Sequence, residues 1–322
     1  MVDNIIHRSE AVENLFGLIE TDRFPHALLL TGASGRGKLA IARSLSQFLI
    51  CQNPGQTSAC GECGHCQKAQ KCIHSDIHFS FPITGAKATC NDFMLDFREF
   101  VLEHPFASSS DWIMLMGEGK KNGNMTAAEC NRISRIVHLK PYEANKKVII
   151  VWLPEYLGKE GNRLLKLIEE PPEETYFIFV SDQPELILST ILSRCQIVNI
   201  PSIPKKVVSA WLSQNSNIDL ETADTIANLS DGNVNEALKM GKQENSAFLP
   251  LWIQFFRATY QGHTATISKS VEEVNTLTKE EMRTFFSYCI HFLRQCLLLR
   301  HCLLYTSPSP RDATLSRMPS SA

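Results

Sequence analysis

Ala27-Leu28-Leu29-Leu30 runs into Gly32-Ala33-Ser34-Gly35-Arg36-Gly37-Lys38, and Ile41, Leu45, Phe48 and Leu49 follow. Four adjacent apolar residues read as a short buried strand, and the spacing i, i+4, i+7, i+8 reads as a helix with one buried face. Strand, glycine-rich turn, helix is the opening of a nucleotide-binding βα unit. Gly32-x4-Gly37-Lys38 matches a phosphate-binding loop except at its last position. In the complete motif backbone N–H groups cradle phosphates, the lysine reaches the β/γ oxygens, and a Ser or Thr hydroxyl holds Mg²⁺. Leu39 stands at that last position and offers no ligand. Gly32, Gly35, Gly37 and Lys38 are therefore candidate residues of a degenerate phosphate loop, and the sequence leaves open whether ATP occupies it. A glycine-rich turn with no ligand is the plainer alternative.

A short helical pattern, Ala11 to Ile19, precedes the loop. Farther along, Thr126-Ala127-Ala128-Glu129 has the form of a capping box, and Ile133, Ile136 and Val137 extend it as an amphipathic helix. Val148-Ile149-Ile150-Val151-Trp152 is a continuous apolar run suited to a central parallel strand. A helix from about Asn162 to Glu170 is stopped by Pro171-Pro172. A strand from Tyr176 to Val180, a helix from Glu185 to Leu192 and a strand from Ile197 to Ile200 follow. Strands alternating with helices argue a parallel sheet covered on both faces. The strand at 148–152 should carry the acidic partner of a Mg²⁺ ion. It ends in Trp152-Leu153-Pro154-Glu155, with no carboxylate at the expected tip and Glu155 beyond a proline. Two metal-handling positions are missing, which predicts a nucleotide-binding frame that does not hydrolyse.

The chain has 322 residues, a formal charge of −2 and 43% hydrophobic residues. That supports real cores and excludes disorder as the main state. Balanced charge removes any global basic excess for neutralising phosphates. No apolar run approaches the ~18 residues of a membrane helix, and Met1-Val2-Asp3-Asn4 carries no secretion signal, so the expected setting is the cytoplasm, with no membrane partner. Of 11 cysteines, Cys51, Cys60, Cys63 and Cys66 fall in one polar, aperiodic stretch at 51–72. Four thiolates at this spacing are enough for a closed, structural tetrahedral Zn²⁺ site. A redox CxxC or plain buried cysteines are the competing readings; Cys72, His65 and His74 are spare ligands. Lys68 and Lys71 are few cations for a nucleic-acid surface on this insert.

Beyond Pro201 and Pro204 strand signals cease. Residues 205–240 carry short helical patterns ending near Gly232-Asn233-Val234-Asn235. In the helical stretch 246–302, Met282, Phe285, Phe286, Cys289, Ile290, Leu293 and Leu297 form a wide apolar stripe, read as a helix-bundle core. From about Tyr305 to Ala322 the chain is rich in Pro and Ser without periodicity and reads as a disordered, non-native tail.

Several of these segments together resemble the bacterial DNA polymerase III clamp-loader subunits. The resemblance runs from Phe24-Pro25-His26-Ala27-Leu28-Leu29 through the loop and the cysteine module. It continues through Leu164-Leu165-Lys166-Leu167-Ile168-Glu169-Glu170-Pro171-Pro172 to Thr190-Ile191-Leu192-Ser193-Arg194-Cys195, covering residues 5 to about 240. It implies a RecA-like AAA+ α/β domain at 1–203 with its zinc module at 51–72, a helical lid at 204–245, part of a helical collar at 246–302 and the foreign tail at 303–322. Motor subunits of the family keep Gly-Lys-Thr, an Asp-Glu pair and a late sensor arginine. Here Leu39, Trp152-Leu153 and Asn235 stand in those places while Arg194 remains, which is similar to the non-hydrolysing delta-prime branch. The resemblance implies that Arg194 is an arginine finger completing the ATP site of an adjacent motor subunit. It also implies gamma/tau motor and delta subunits, a sliding clamp and, through the complex, primed DNA as partners. A weak ATPase using Lys38, or a zinc module binding nucleic acid, are the alternatives.

Overall fold

The computed structural model describes residues 5–85, 88–116, 123–216, 218–242 and 248–277, with 282, 285, 286, 289, 290, 293 and 297. The chain divides into two compact units, Met1–Lys239 and Met240–Ala322.

The first unit is built on five strands, β1 (Ala27–Thr31), β2 (Ile77–Ser80), β3 (Lys147–Trp152), β4 (Thr175–Val180) and β5 (Gln196–Asn199). They form one parallel sheet in the order β2-β3-β4-β1-β5. In β1, Leu28 and Leu30 face one side and Ala27 and Leu29 the other. Val148, Ile150, Ile178 and Val180 join the first set; Ile149, Val151, Phe177 and Phe179 join the second. A strand with helices on both faces has no solvent side, so its sequence is apolar throughout rather than alternating. At the edge, β5 is mostly exposed, including Ile197. This is the parallel sheet, covered on both faces, that the strand–helix alternation led one to expect, with β1 and β4 adjacent in it.

One face is covered by α1 (Glu10–Glu20) and α2 (Lys38–Leu49). The insert contributes α3 (Gly64–Gln70), and α4 (Met94–Glu103) and α5 (Ser109–Leu115) follow β2. The other face is covered by α6 (Ala127–His138), a 3₁₀ stretch Pro154–Leu164, α7 (Leu165–Glu169) and α8 (Ser189–Leu192). Three elements differ from the sequence reading. The helix expected at 162–170 is α-helical only as α7, with 162–164 ending a 3₁₀ stretch that starts at Pro154 and is interrupted by the left-handed Gly158 (φ 48°). The helix expected at 185–192 shrinks to α8, since Pro184 starts a single 3₁₀ turn instead. β2 is not among the strands expected from the sequence, and its Ile77 to Ser80 pair with Val148 to Val151.

α4 and α5 are fixed by aromatic packing. Phe81 and Phe97 stack at 3.8 Å between centroids, Trp112 meets each edge-on at 5.2 and 5.4 Å, and its Nε1 donates to the Pro82 carbonyl at 2.7 Å. Three further helices follow β5 in the same unit: α9 (Lys205–Asn215), α10 (Leu220–Ser230) and the start of α11 (Val234–Lys242).

The second unit contains α12 (Phe248–Gln261) and α13 (Thr264–Asn275), with a small core of Trp252, Val274, Phe285 and Cys289. Phe286, Ile290, Leu293 and Leu297, expected in that core, are exposed. The tail at 303–322 lies outside the described residues.

Phe97→Ala is expected to cost about 3–5 kcal/mol, the usual range for emptying a large aromatic site. A thermal or denaturant unfolding curve reads this directly; a loss below about 1 kcal/mol would mean that the stack is not a core element.

Candidate functional site

The phosphate-type loop sits between the C-terminal end of β1 and the first turn of α2, at the point where strand order reverses, the usual ligand position in such sheets. Gly32 adopts φ 135°, and a Cβ there would stand 2.6 Å from the Ile200 carbonyl oxygen. A Cβ on Gly35 (φ 75°) would meet Asn233 Oδ1 at 1.7 Å. Both positions exclude side chains because neighbouring segments press on the loop. Leu39 points into the core at 9% exposure, so a ligand at this position would have to leave the packed interior.

Lys38 is the centre of the loop. Its Nζ donates to the carbonyls of Gly32 and Ala33 and to Asp182 Oδ1, each at 2.7 Å, and the residue is 4% exposed. An ammonium has three donors, and all three are engaged within the chain. Burial pushes its pKa down, opposed by Asp182. Asp182 lies two residues past β4, and the polar pair Ser181-Asp182 at the C-terminal end of a buried strand is the sequence signal that marks it.

Glu155 requires a correction. Sequence reading set it aside beyond Pro154, but Leu153 turns left-handed (φ 60°, ψ 58°) and returns the chain to the strand tips. Glu155 Oε1 accepts the Asp182 N–H at 3.2 Å, and Oε2 is buried without a hydrogen-bond partner. Burial pushes this carboxyl's pKa up. Two carboxyl groups therefore lie near Lys38, where none was expected. The cavity beside the loop, lined by Ile6, Arg36, Phe106, Ile200 and Ile203 among others, holds only about 10 Å³.

The four insert cysteines converge. Among the described residues their sulfurs form one of two groups able to hold a metal ion, all within 4.8 Å of one another. Cys51 and Cys60 sulfurs are 3.5 Å apart and Cys60 and Cys66 3.8 Å. A tetrahedral ion with ~2.3 Å metal–sulfur bonds requires about 3.8 Å between ligands. The backbone N–H of Cys60, Cys63 and Cys66 donate to the sulfurs of Cys51, Cys60 and Cys63 at 3.3–3.4 Å. Such donors stabilise thiolates: N–H groups of Cys63 and Glu62 bring the Cys60 thiol down to about 6, whereas burial pushes Cys51 and Cys66 up. A bound cation removes that burial cost. The donor set and its spacing fit a closed metal centre. Cys72 is buried away from it and packs in the core.

The second group is His65, His74 and Glu143. The Asp76 N–H donates to His74 Nδ1 at 3.0 Å, so His74 carries its proton on Nε2, which lies 2.7 Å from His65 Nδ1. Glu143 accepts from Lys68 and from Ser75 Oγ. His65 and His74 bond each other and Glu143 bonds Lys68 and Ser75, so these residues form a hydrogen-bonded link between the insert and the segments flanking β2 and β3.

Arg194 lies at the end of α8, before the edge strand β5. Its Nε donates to Glu169 Oε2 at 3.0 Å and its Nη1 to the Thr190 carbonyl at 2.9 Å. The side chain is 31% exposed, and it precedes the start of β5, where Gln196 pairs with Leu28, whereas the loop follows the other end of β1, so it belongs to a surface and not to the Lys38 site.

Residues 7–204 match the family model described as "DNA polymerase III, delta subunit". The chain belongs to that family. Curated relatives include DNA polymerase III subunit delta' of Escherichia coli K12, 26% identical over 236 residues, 72% of this chain and 59% of the relative. The same subunit of Pseudomonas aeruginosa is 32% identical over 59% of this chain and 47% of the relative. DNA polymerase III subunit gamma of Buchnera aphidicola is 25% identical over 74% and 56%. The chain thus spans about half to three-fifths of these family members. Among solved structures, a gamma subunit-related protein from Thermotoga maritima aligns with 16% identity and a TM-score of 0.40 over 86% of this chain and 76% of that one. No described helix of this family member is long and apolar enough to cross a membrane.

Metal titration of the purified, reduced protein is expected to saturate at one divalent ion per chain, and Cys60→Ser is expected to weaken it at least about tenfold. Equal affinity in wild type and variant would show that these sulfurs do not bind metal. Affinity should fall as pH drops, because protons compete for the thiolates.

Proposed function

We propose that this chain acts as a non-hydrolysing delta-prime-type subunit of a bacterial clamp loader, supplying Arg194 in trans to the ATP site of a neighbouring motor subunit. The observation that carries the reading is the contrast between two cations. Lys38 is buried with every donor engaged inside the chain, whereas Arg194 is held at a surface by Glu169 and Thr190. An Nε–carboxylate bond and an Nη1–carbonyl bond fix the guanidinium plane without using Nη2, which suits bonding to a phosphoryl oxygen of a partner-bound nucleotide. An arginine finger is worth about 10³–10⁵ in rate through charge stabilisation in the transition state.

The intended partners are the gamma/tau motor and delta subunits, the sliding clamp and primed DNA reached through the complex. The cysteine cluster holds Zn²⁺ in a structural role: four sulfur ligands close the coordination shell, leaving no position for a substrate. We assign 1–203 to the AAA+ domain, 204–245 to the lid and 246–302 to part of the collar.

Glu155 and Asp182, both near Lys38, give a weak-ATPase reading a definite chemical basis. ATP turnover by the chain alone, abolished in Lys38→Ala, would establish that reading in place of ours. The expected result is no turnover by the isolated chain. In a reconstituted loader, Arg194→Ala should lose at least about tenfold of the ATPase stimulated by clamp and primed DNA, with co-purification confirming that the variant chain joins the complex. Assembly intact with wild-type stimulation would make Arg194 an ordinary surface charge.

A further inference from the structure

We propose that Gln47 of α2 is an outer-sphere residue of the cysteine metal centre, its side-chain amide donating a hydrogen bond to the metal-bound sulfur of Cys66. This rests on the reading of the cluster as a metal centre. It gives that centre a partner outside the insert, on the helix whose first residue is Lys38.

The register of α2 against α3 carries it. Arg43 Nη2 donates to the Gln70 carbonyl at 3.2 Å, so the middle of α2 meets the end of α3. Cys51, two residues past the end of α2, has its sulfur within 4.8 Å of that of Cys66, near the start of α3. The two helices therefore run antiparallel. Residues four apart on a helix share a face. One turn on from Arg43 is Gln47, and one turn before Gln70 is Cys66, so the Gln47 amide comes opposite the Cys66 sulfur. Phe48, Leu49, Cys66 and Ala69 belong to the same core around them.

The donor and the acceptor each lack what the other offers. Gln47 is 7% exposed, and its Nε2 is buried with no hydrogen-bond partner. A buried amide N–H left unpaired is costly, so a group of this kind calls for an acceptor. The sulfurs of Cys51, Cys60 and Cys63 receive the backbone N–H groups of Cys60, Cys63 and Cys66. Cys66 is fully buried; burial pushes its thiol up, and the Gln47 side chain and the Gly61 N–H oppose that push. A thiol sulfur is a weak acceptor, whereas a metal-bound thiolate is a charged and much stronger one. Coordination of Cys66 therefore supplies the acceptor that the Gln47 amide lacks. Outer-sphere partners of this kind typically alter metal affinity about 10–100-fold.

Metal competition on the reduced, full chain tests the bond, using Zn²⁺ against a chromophoric chelator and Co²⁺ read by its sulfur-to-metal charge-transfer absorption. Gln47→Met keeps the length and helix propensity of the side chain while removing the donor. It should bind Zn²⁺ at least about tenfold more weakly than wild type. Its Co²⁺ charge-transfer band should move to lower energy, because a thiolate that loses a hydrogen bond gives up an electron more readily. Gln47→Asn, which draws the amide back by one methylene, should shift both readings in the same direction, and it decides the question if Gln47→Met does not fold. Wild-type affinity with a wild-type band in the variants would overturn the proposal. So would weaker binding with an unmoved band, because Gln47 would then support the packing of the insert and not the sulfur. A wild-type chain that binds neither ion would overturn the metal reading itself, and this inference with it.

Discussion

The buried ammonium of Lys38 ties together three parts of the molecule that the chain brings from far apart. It holds the Gly32 and Ala33 carbonyls, and so the shape of the loop, and it pairs with Asp182 at the tip of β4. Asp182 in turn donates its N–H to Glu155, which fixes the turn after β3. An isolated buried charge is costly, and removing one partner of such a pair typically costs ~3–5 kcal/mol. The tips of β1, β3 and β4 are thus held by one network. In a phosphate loop the lysine normally provides charge to a ligand; in this chain the same charge is neutralised internally.

The cysteine insert is attached by a comparable device. Asp76 accepts the N–H groups of Tyr142, Glu143 and Ala144 at 2.6–2.8 Å, and its own N–H orients His74 toward His65 in α3. Three backbone donors hold the Asp76 carboxylate below its usual pKa despite burial. Because His65 adjoins Cys66, the geometry of the sulfur cluster is coupled to the start of β2 and the turn before β3. A small polar insert with few apolar residues gains order from a metal-sized cluster and from this link, since it has little core of its own.

Legibility differed between elements for physical reasons. β1, β3 and β4 were readable because burial on both faces demands an unbroken apolar run, which few other structures require. β2 was not, since His78 and Ser80 interrupt its four residues and its identity comes from pairing with β3. The loop was readable from glycine spacing, and Leu39 announced the missing hydroxyl. Glu155 was misread because a left-handed Leu153 cannot be foreseen from a residue type that rarely adopts positive φ. Asn235 was recognised as a substitution, but not as a partner of Asp111, because the two are 124 positions apart.

By itself the sequence determined the parallel α/β core, the glycine-rich loop with Leu39 at its last position, and the four-cysteine cluster. Each rests on local spacing, and local spacing survives without knowledge of the fold. The tertiary structure alone decided what those residues do to one another. It spent the Lys38 donors on the chain's own acceptors, returned Glu155 to the strand tips, pinned Arg194 outward on Glu169 and fastened α11 to Asp111. Those outcomes depend on which strand ends and helix termini become neighbours, and packing sets them among residues that the sequence keeps far apart.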